Sequence, residues 1–250
     1  MRSEQDHRAE IGDFTEDAYR GLLRSAKRSY RFVRFGESPP ENHVLWRHDL
    51  DASVHRAARL AQIERDEGVT ATYFLYPRCR YYNLFSTEVS GLVRGIMDLG
   101  HDIALHFDPT HYGEMTLEQL SAAMAHERDL LTQEFGRAPV AVSFHLFGVL
   151  STPMPDDDVV CGMVNAYGRT LRDGYGYVSD SNGLWLYRRL KTVLDEAAEA
   201  RLQVLTHPEW WTPEAMPPRA RLQRAIDGYA RLMETWYDEI VDRSGRPNLR

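Results

Sequence analysis

The chain has 250 residues, 43% hydrophobic and 27% charged, the proportions of an ordinary globular protein long enough for one large core. Thirty Lys and Arg against thirty-seven Asp and Glu give a net charge of −7. That balance argues against nucleic acid and against an anionic membrane surface as partners, since both need a basic footprint.

Thr15 is a predicted N-cap for a helix running to about Ser29. An apolar run at 44–47 predicts a strand that leads into Arg47-His48-Asp49-Leu50-Asp51. Ser53 caps a helix with Val54, Ala57, Ala58 and Ala61 at i, i+3, i+4 and i+7, and Gly68 is its C-terminal stop. A strand at 71–76 is followed by a helix from Ser86 to near Gly100, and a third strand covers 102–106. Thr116 and Gln119 form a capping box that opens a helix to about Phe135. Strands follow at 140–145, 175–179 and 203–206, with a helix near 187–200 between the last two. After Pro217-Pro218 a final helix carries Leu222, Ala225, Ile226, Tyr229, Met233, Trp236 and Ile240 on one face, its Trp236 and Tyr237 reading as core or interface.

The opening MRSEQDHRAEIGDF has no apolar segment of a secretory signal, and the uncharged stretch 138–155 holds three prolines and cannot span a bilayer as one helix. Cys79 and Cys161 are too few for a disulfide framework and are not clustered as zinc ligands, so reduced thiols and a cytoplasmic location are expected. Strand–helix alternation with buried runs means parallel strands joined by right-handed crossovers. Six visible strands, with room for a seventh, fit a (β/α) barrel, complete or incomplete, or an open doubly wound sheet. No Gly-rich phosphate loop follows the first strand, which favours the barrel.

The strand ends are the informative feature. They read Asp49-Leu50-Asp51, His106-Phe107-Asp108, Ser143-Phe144-His145, Ser179-Asp180-Ser181 and Thr206-His207-Pro208-Glu209. All strand C-termini of a parallel α/β fold point to one rim, where sites are built. One Asp or His there can be a helix cap; five such ends together point to chemistry. Asp, His and His make a ligand set for a divalent transition ion with positions left open. Beside it, a second carboxylate can take a proton from water and a further His can protonate a leaving group, which is metal-assisted hydrolysis of an amide or ester.

Arg47 to Asp51, Gly68-Val69-Thr70-Ala71-Thr72-Tyr73-Phe74, and Gly100-His101-Asp102-Ile103-Ala104-Leu105-His106 resemble the polysaccharide deacetylase-like family, carbohydrate esterase family 4. Ser143-Phe144-His145, the stretch from Ser179 to Trp185, and Leu205 to Trp211 resemble its later motifs, so the resemblance covers about residues 43–211. It implies a distorted (β/α)7-type barrel as a single domain, 43–250, with a helical N-terminal extension, 1–42, packing on it. It also implies metal-dependent removal of an N-acetyl group from an amino sugar. Asp49 matches the family's general base and Asp51 a metal ligand, with exchanged roles as the alternative. His106 matches the first metal histidine and His207 the general acid. Asp180 and Trp185 match the stretch that shapes the acyl pocket and supports the catalytic groups.

The family's second metal histidine would fall at Thr110, so the third ligand is His145, preferred because a strand end is better fixed than a loop, or His111, with Asp108 as an outside candidate. The implied cofactor is one divalent transition ion, Zn²⁺ first, with Co²⁺, Ni²⁺ or Fe²⁺ as alternatives. The expected substrate is an amino sugar, free or linked to a nucleotide, nucleoside or natural product, with a homo-oligomer left open. Arg47 pairs with the aspartates or a substrate phosphate; Trp210 and Trp211 stack on a sugar or pack the barrel mouth. His48 and His101 read as structural, and Tyr81, Tyr82 and Phe85 as loop packing. Two rival functions stand: hydrolysis of a cyclic amide or formamide, and sugar binding without catalysis on the same barrel.

Overall fold

The computed structural model describes residues 3–146, 151 and 153–249, so part of the uncharged stretch 138–155 lies outside the described residues. In chain order the helices and strands are α1 (Glu4–Ala9), α2 (Glu16–Ser29), β1 (Arg31–Val33), β2 (His43–Asp49), α3 (Val54–Glu67), β3 (Thr72–Leu75), α4 (Thr87–Asp98), β4 (Asp102–Phe107), α5 (Leu117–Phe135), β5 (Ala141–Phe144), β6 (Val159–Val160), β7 (Met163–Asn165), α6 (Arg169–Gly174), β8 (Gly176–Ser179), α7 (Leu190–Glu196), β9 (Arg201–Thr206) and α8 (Pro218–Arg243).

The predicted caps set the helix starts. Thr15 accepts from the Ala18 amide, Ser53 from Arg56 and Ser86 from Val89, and both bonds of the Thr116–Gln119 capping box form. Gly68 closes α3 at φ 69°, a left-handed conformation that costs glycine little. The helix expected near 187–200 is shorter, Leu190–Glu196, because Arg189 supplies no side-chain cap and Ala197 turns left-handed at φ 46°.

The sheet runs β6-β7-β5-β4-β3-β2-β9-β8, with β1 on the start of β2. Every pairing is parallel except the β6–β7 hairpin. Among the described residues nothing pairs β8 with that hairpin, so the barrel is distorted and open on one side. Strands β1, β6 and β7 and helices α1 and α6 go beyond the expected elements.

Strand alternation sorts the residues that matter. On β2, Val44 and Trp46 pack outward with Ile103, Leu105 and Val142 against the helices, and His48 points the same way. Leu45 points inward with Phe74, Ala104 and Ala141. Arg47 and Asp49 share that inner face, and so do His106 and Ser143 one step along from Ala104 and Ala141. The N-terminal segment joins the body through β1 on β2, through Asp13, which accepts from Arg189 and Trp185, and through Thr15 beside Thr212. No helix among the described residues is long and apolar enough to cross a membrane, and both cysteines are free thiols.

Candidate active site

Three predicted ligands converge. His106, at the inner end of β4, and His145, just past β5, reach Asp51, just past β2. His106 Nε2 lies 3.1 Å and His145 Nδ1 3.4 Å from Asp51 Oδ1, and the two ring nitrogens are 3.1 Å apart. Zn–N and Zn–O bonds of about 2.0–2.2 Å in tetrahedral coordination need donors about 3.3–3.6 Å apart, so this triangle fits one ion. Asp51 Oδ1 is buried without a hydrogen bond of good geometry although two ring nitrogens face it, as expected of an oxygen meant for a cation. Burial alone would raise the Asp51 pKa; the His106 and His145 rings that face it instead hold it well below the usual range. The far nitrogen of His106 lies 2.7 Å from Ser143 Oγ. A proton there fixes the tautomer and leaves Nε2 free for a metal.

Asp49 is buried on the Nδ1 side of the His106 ring, 3.4 Å from both Ser143 Oγ and His106 Nδ1. Its Oδ1 has no partner. Arg47, with no exposed surface, stands 3.6 Å from Asp49 Oδ2. It lies between the rings of Phe74 and Tyr167 and donates to the Tyr167 hydroxyl at 2.7 Å. Of the two readings of Arg47, the structure gives the pair with the aspartate inside the barrel.

The opposite wall is an Asp–His pair. Asp180, fully buried, accepts from the His207 ring at 2.6 Å, from the His207 amide at 3.0 Å and from Trp211 Nε1 at 3.0 Å. Burial disfavours an imidazolium, but the charge and hydrogen bond of Asp180 outweigh it and hold the His207 pKa well above its ordinary value. His207 Nε2 lies 3.8 Å from Asp51 Oδ2, so the imidazole faces the triangle.

The remaining predicted residues are elsewhere. His111 is exposed in a short turn, outside the Asp51–His106–His145 group. Asp108 is taken up by Tyr76 and Thr110. Trp185 is core, stacked on Phe14 and bonded to Asp13. Trp210 is half-buried over Gly183, where an added Cβ would come within 3.1 Å of its ring. Tyr82 is buried and bonds the Leu50 carbonyl, whereas Tyr81 and Phe85 are exposed. Glu209, two residues beyond His207, is the site residue the sequence did not single out. It is 2% exposed, its Oε2 has no partner, and burial followed by the charge of Asp51 raises its pKa to about 8. The visible signal was its place in the Thr206-His207-Pro208-Glu209 strand end.

No protein-family model and no curated protein matches the chain. Among solved structures it is similar to the Streptococcus pyogenes deacetylase PplD in complex with acetate, at 16% identity and a TM-score of 0.43 over 83% of this chain and 85% of that one. It is similar to the peptidoglycan deacetylase PdaC from Bacillus subtilis, at 15% identity and a TM-score of 0.46 over 83% and 97%. It is also similar to the chitin deacetylase of the fungal pathogen Colletotrichum lindemuthianum, at 13% identity and a TM-score of 0.45 over 79% and 86%. Their substrates are properties of those proteins; what this site does rests on its own residues.

Proposed function

We propose that the chain is a metal-dependent N-deacylase that removes the N-acetyl group from an amino sugar or a small amino-sugar conjugate. The observation that carries this reading is the meeting of Asp51, His106 and His145 between a buried carboxylate, Asp49, and a histidine held by Asp180.

Asp51, His106 and His145 are the residues for the ion, with Zn²⁺ the best match to one oxygen and two nitrogen donors. A divalent ion bound there lowers the pKa of water toward neutrality and polarises a carbonyl. Asp49 takes the proton of the attacking water, for which its unpartnered Oδ1 is free. Arg47, 3.6 Å from Asp49 Oδ2, fixes the direction of the carboxylate. His207, kept protonated by Asp180, gives its proton to the leaving amine, so the acid and the base stand on opposite sides of the scissile bond. A sugar-binding relic would need neither Asp49 nor the Asp180–His207 pair.

The test is metal analysis of the purified protein together with acetate release from a panel of N-acetyl amino sugars. About one transition ion per chain with acetate released is expected. No ion after reconstitution and no acetate would refute the reading; an ion with a ring-opened acid as product would make the cyclic-amide alternative correct. Asp49→Asn is expected to keep the ion and lower kcat about 10²–10⁴-fold, the usual contribution of a positioned base. Asp51→Asn and His145→Ala are expected to lose the ion, and His111→Ala to keep it. An empty site in Asp49→Asn would exchange the two aspartate roles.

A further inference from the structure

Beside the catalytic rim lies a cleft of about 950 Å³ between α8 and the starts of α3 and α4, large enough for more than a monosaccharide. It adjoins the site directly. Ala52, next to Asp51, lines it, and so does Glu209, which feels the charge of Asp51.

Its lining is cationic in a chain whose net charge is −7. Arg56, Arg221, Arg224 and Arg231 face it, against Glu209 and Asp227. Arg221 is 1% exposed; its two terminal nitrogens donate to the carbonyls of Gly183 and Ile11, while its Nε is buried without a partner. Arg56 bonds Glu16, but Glu16 is shared with Arg59, which leaves a positive charge over. Burial, with Arg224 and Arg59 nearby, holds the Arg56 pKa below its usual value despite Glu16. Burial likewise brings Arg221 down to about 10. Arg224 and Arg231 make no ion pair among the described residues and lie two turns apart on α8. The N-terminus of α3 opens on the same cleft through Ser53, Val54 and Arg56 and adds a positive helix end. Two exposed guanidinia without ion pairs among the described residues, the charge left over on Arg56 and Arg59, and a helix N-terminus around one cavity call for an anion.

We propose that this cleft binds a phosphate or diphosphate group, and that the substrate is a phosphorylated amino-sugar conjugate whose amide reaches the catalytic rim while its phosphate lies on Arg224 and Arg231, with the charges of Arg221 and Arg56 behind them. This rests on the deacylase reading for the amide end only; the anion site stands on its own geometry. Glu209, at the junction, accepts a hydrogen bond from a sugar hydroxyl through its unpartnered Oε2. Arg guanidinia suit phosphate because their fork matches two of its oxygens.

The experiment is calorimetric titration of the metal-loaded full chain with N-acetylglucosamine, N-acetylglucosamine 1-phosphate and UDP-N-acetylglucosamine. The expected result is at least tenfold tighter binding of one or both phosphorylated ligands than of the neutral sugar, weakening with added salt. The two phosphorylated arms separate a simple sugar phosphate from a nucleotide-linked conjugate. Removing Arg221 would also remove its two backbone contacts, so the variant of choice is Arg224→Glu with Arg231→Glu on the exposed face of α8. It is expected to abolish the preference while circular dichroism stays unchanged. Equal affinity for all three ligands would overturn the proposal. So would a phosphate preference that survives the double substitution, because the phosphate would then be bound elsewhere, at the ion included. Phosphate binding lost in the double variant, with no acetate released from any ligand, would sustain the cleft and sink the deacylase reading.

Discussion

A carboxylate that accepts three N–H donors is held in one orientation. Asp180 is in that position, with the His207 ring, the His207 amide and Trp211 Nε1 all donating to it. Its charge therefore works on His207, the group proposed to protonate the leaving amine. With the His207 pKa raised well above its ordinary value, the acid form persists above neutrality, and activity falls on the alkaline side only when that raised pKa is passed. Asp180→Asn keeps the shape and removes the charge. The His207 pKa should fall back toward the ordinary value of about 6.5, so the alkaline limb of the rate profile moves to lower pH. The rate itself should fall about 10²–10⁴-fold. A pH–rate profile of kcat/KM checks this; an unmoved alkaline limb would mean that His207 is not the acid.

At this same scale the sequence was most readable for residues at strand ends. Asp49, Asp51, His106, His145 and His207 stand out because polar groups that close apolar runs need a reason. Between His145 and His111 the sequence leans to His145, because a strand end is a better-fixed position than a loop. Glu209 was visible only as part of its strand end, and only the fold shows that it is buried at the cleft wall.

Elements hold this rim in place through a polar cluster behind the sheet. Glu64 of α3 is fully buried and takes hydrogen bonds from Tyr19 of α2 at 2.5 Å, His48 of β2 at 2.6 Å and Tyr73 of β3 at 2.6 Å. His101, ahead of β4, stands 3.6 Å away, and His48 also meets Thr206 of β9 at 2.7 Å. One carboxylate thus ties two helices to adjoining strands. Burial raises the Glu64 pKa, but His48, His101 and the hydroxyl donors more than offset this and bring it below its usual value. An acid whose folded pKa lies below its unfolded one, about 4.3, stabilises the fold above that unfolded value. The contribution is lost as pH falls through the folded pKa. Glu64→Gln should therefore cost about 3–5 kcal/mol at pH 7, as for a buried pair stripped of one partner. The gap to wild type should narrow as the pH is taken below 4. Denaturant titrations at several pH values test this, and a gap constant across pH would remove the charge from the explanation.

Glu64 also shows what element-level reading can and cannot do. It continues the stripe of Val54, Ala57 and Ala61 by three residues, so its inward direction was available from the period; its burial as a charged hub was not, because the partners come from distant segments. The capped helices were legible for a local reason: each cap is a bond within a few residues. Strands β1 and β7 have three residues each and β6 has two, too few for alternation to show. The β6–β7 hairpin turns at Cys161 and Gly162, φ 51° and 77°, and a cysteine in a left-handed turn position gives no usual turn signal.

Over the whole molecule, the site is a product of the complete sheet. Asp49 comes from β2 and Asp51 from just past it, His106 from β4, and His145, Asp180 and His207 from just past β5, β8 and β9. An ion on Asp51, His106 and His145 would pin the ends of β2, β4 and β5 together in a barrel that is open between β8 and the β6–β7 hairpin. Strand–helix alternation made a barrel, complete or incomplete, readable, but not where it opens, because closure depends on pairing between remote segments that no local pattern encodes. A ligand that binds the folded state alone stabilises it, by about 2.7 kcal/mol when present at one hundred times its Kd. For a chain of this size each kcal/mol moves Tm by about 2–4 °C, so stripping the ion with a chelator should lower Tm by about 5–11 °C, and adding Zn²⁺ back should restore it. Asp51→Asn serves as the internal control. It should melt at the same temperature with and without chelator, since it has no ion to lose. A wild-type Tm indifferent to chelation, or an Asp51→Asn variant as sensitive as wild type, would place the ion elsewhere or nowhere, and the three-strand clamp with it.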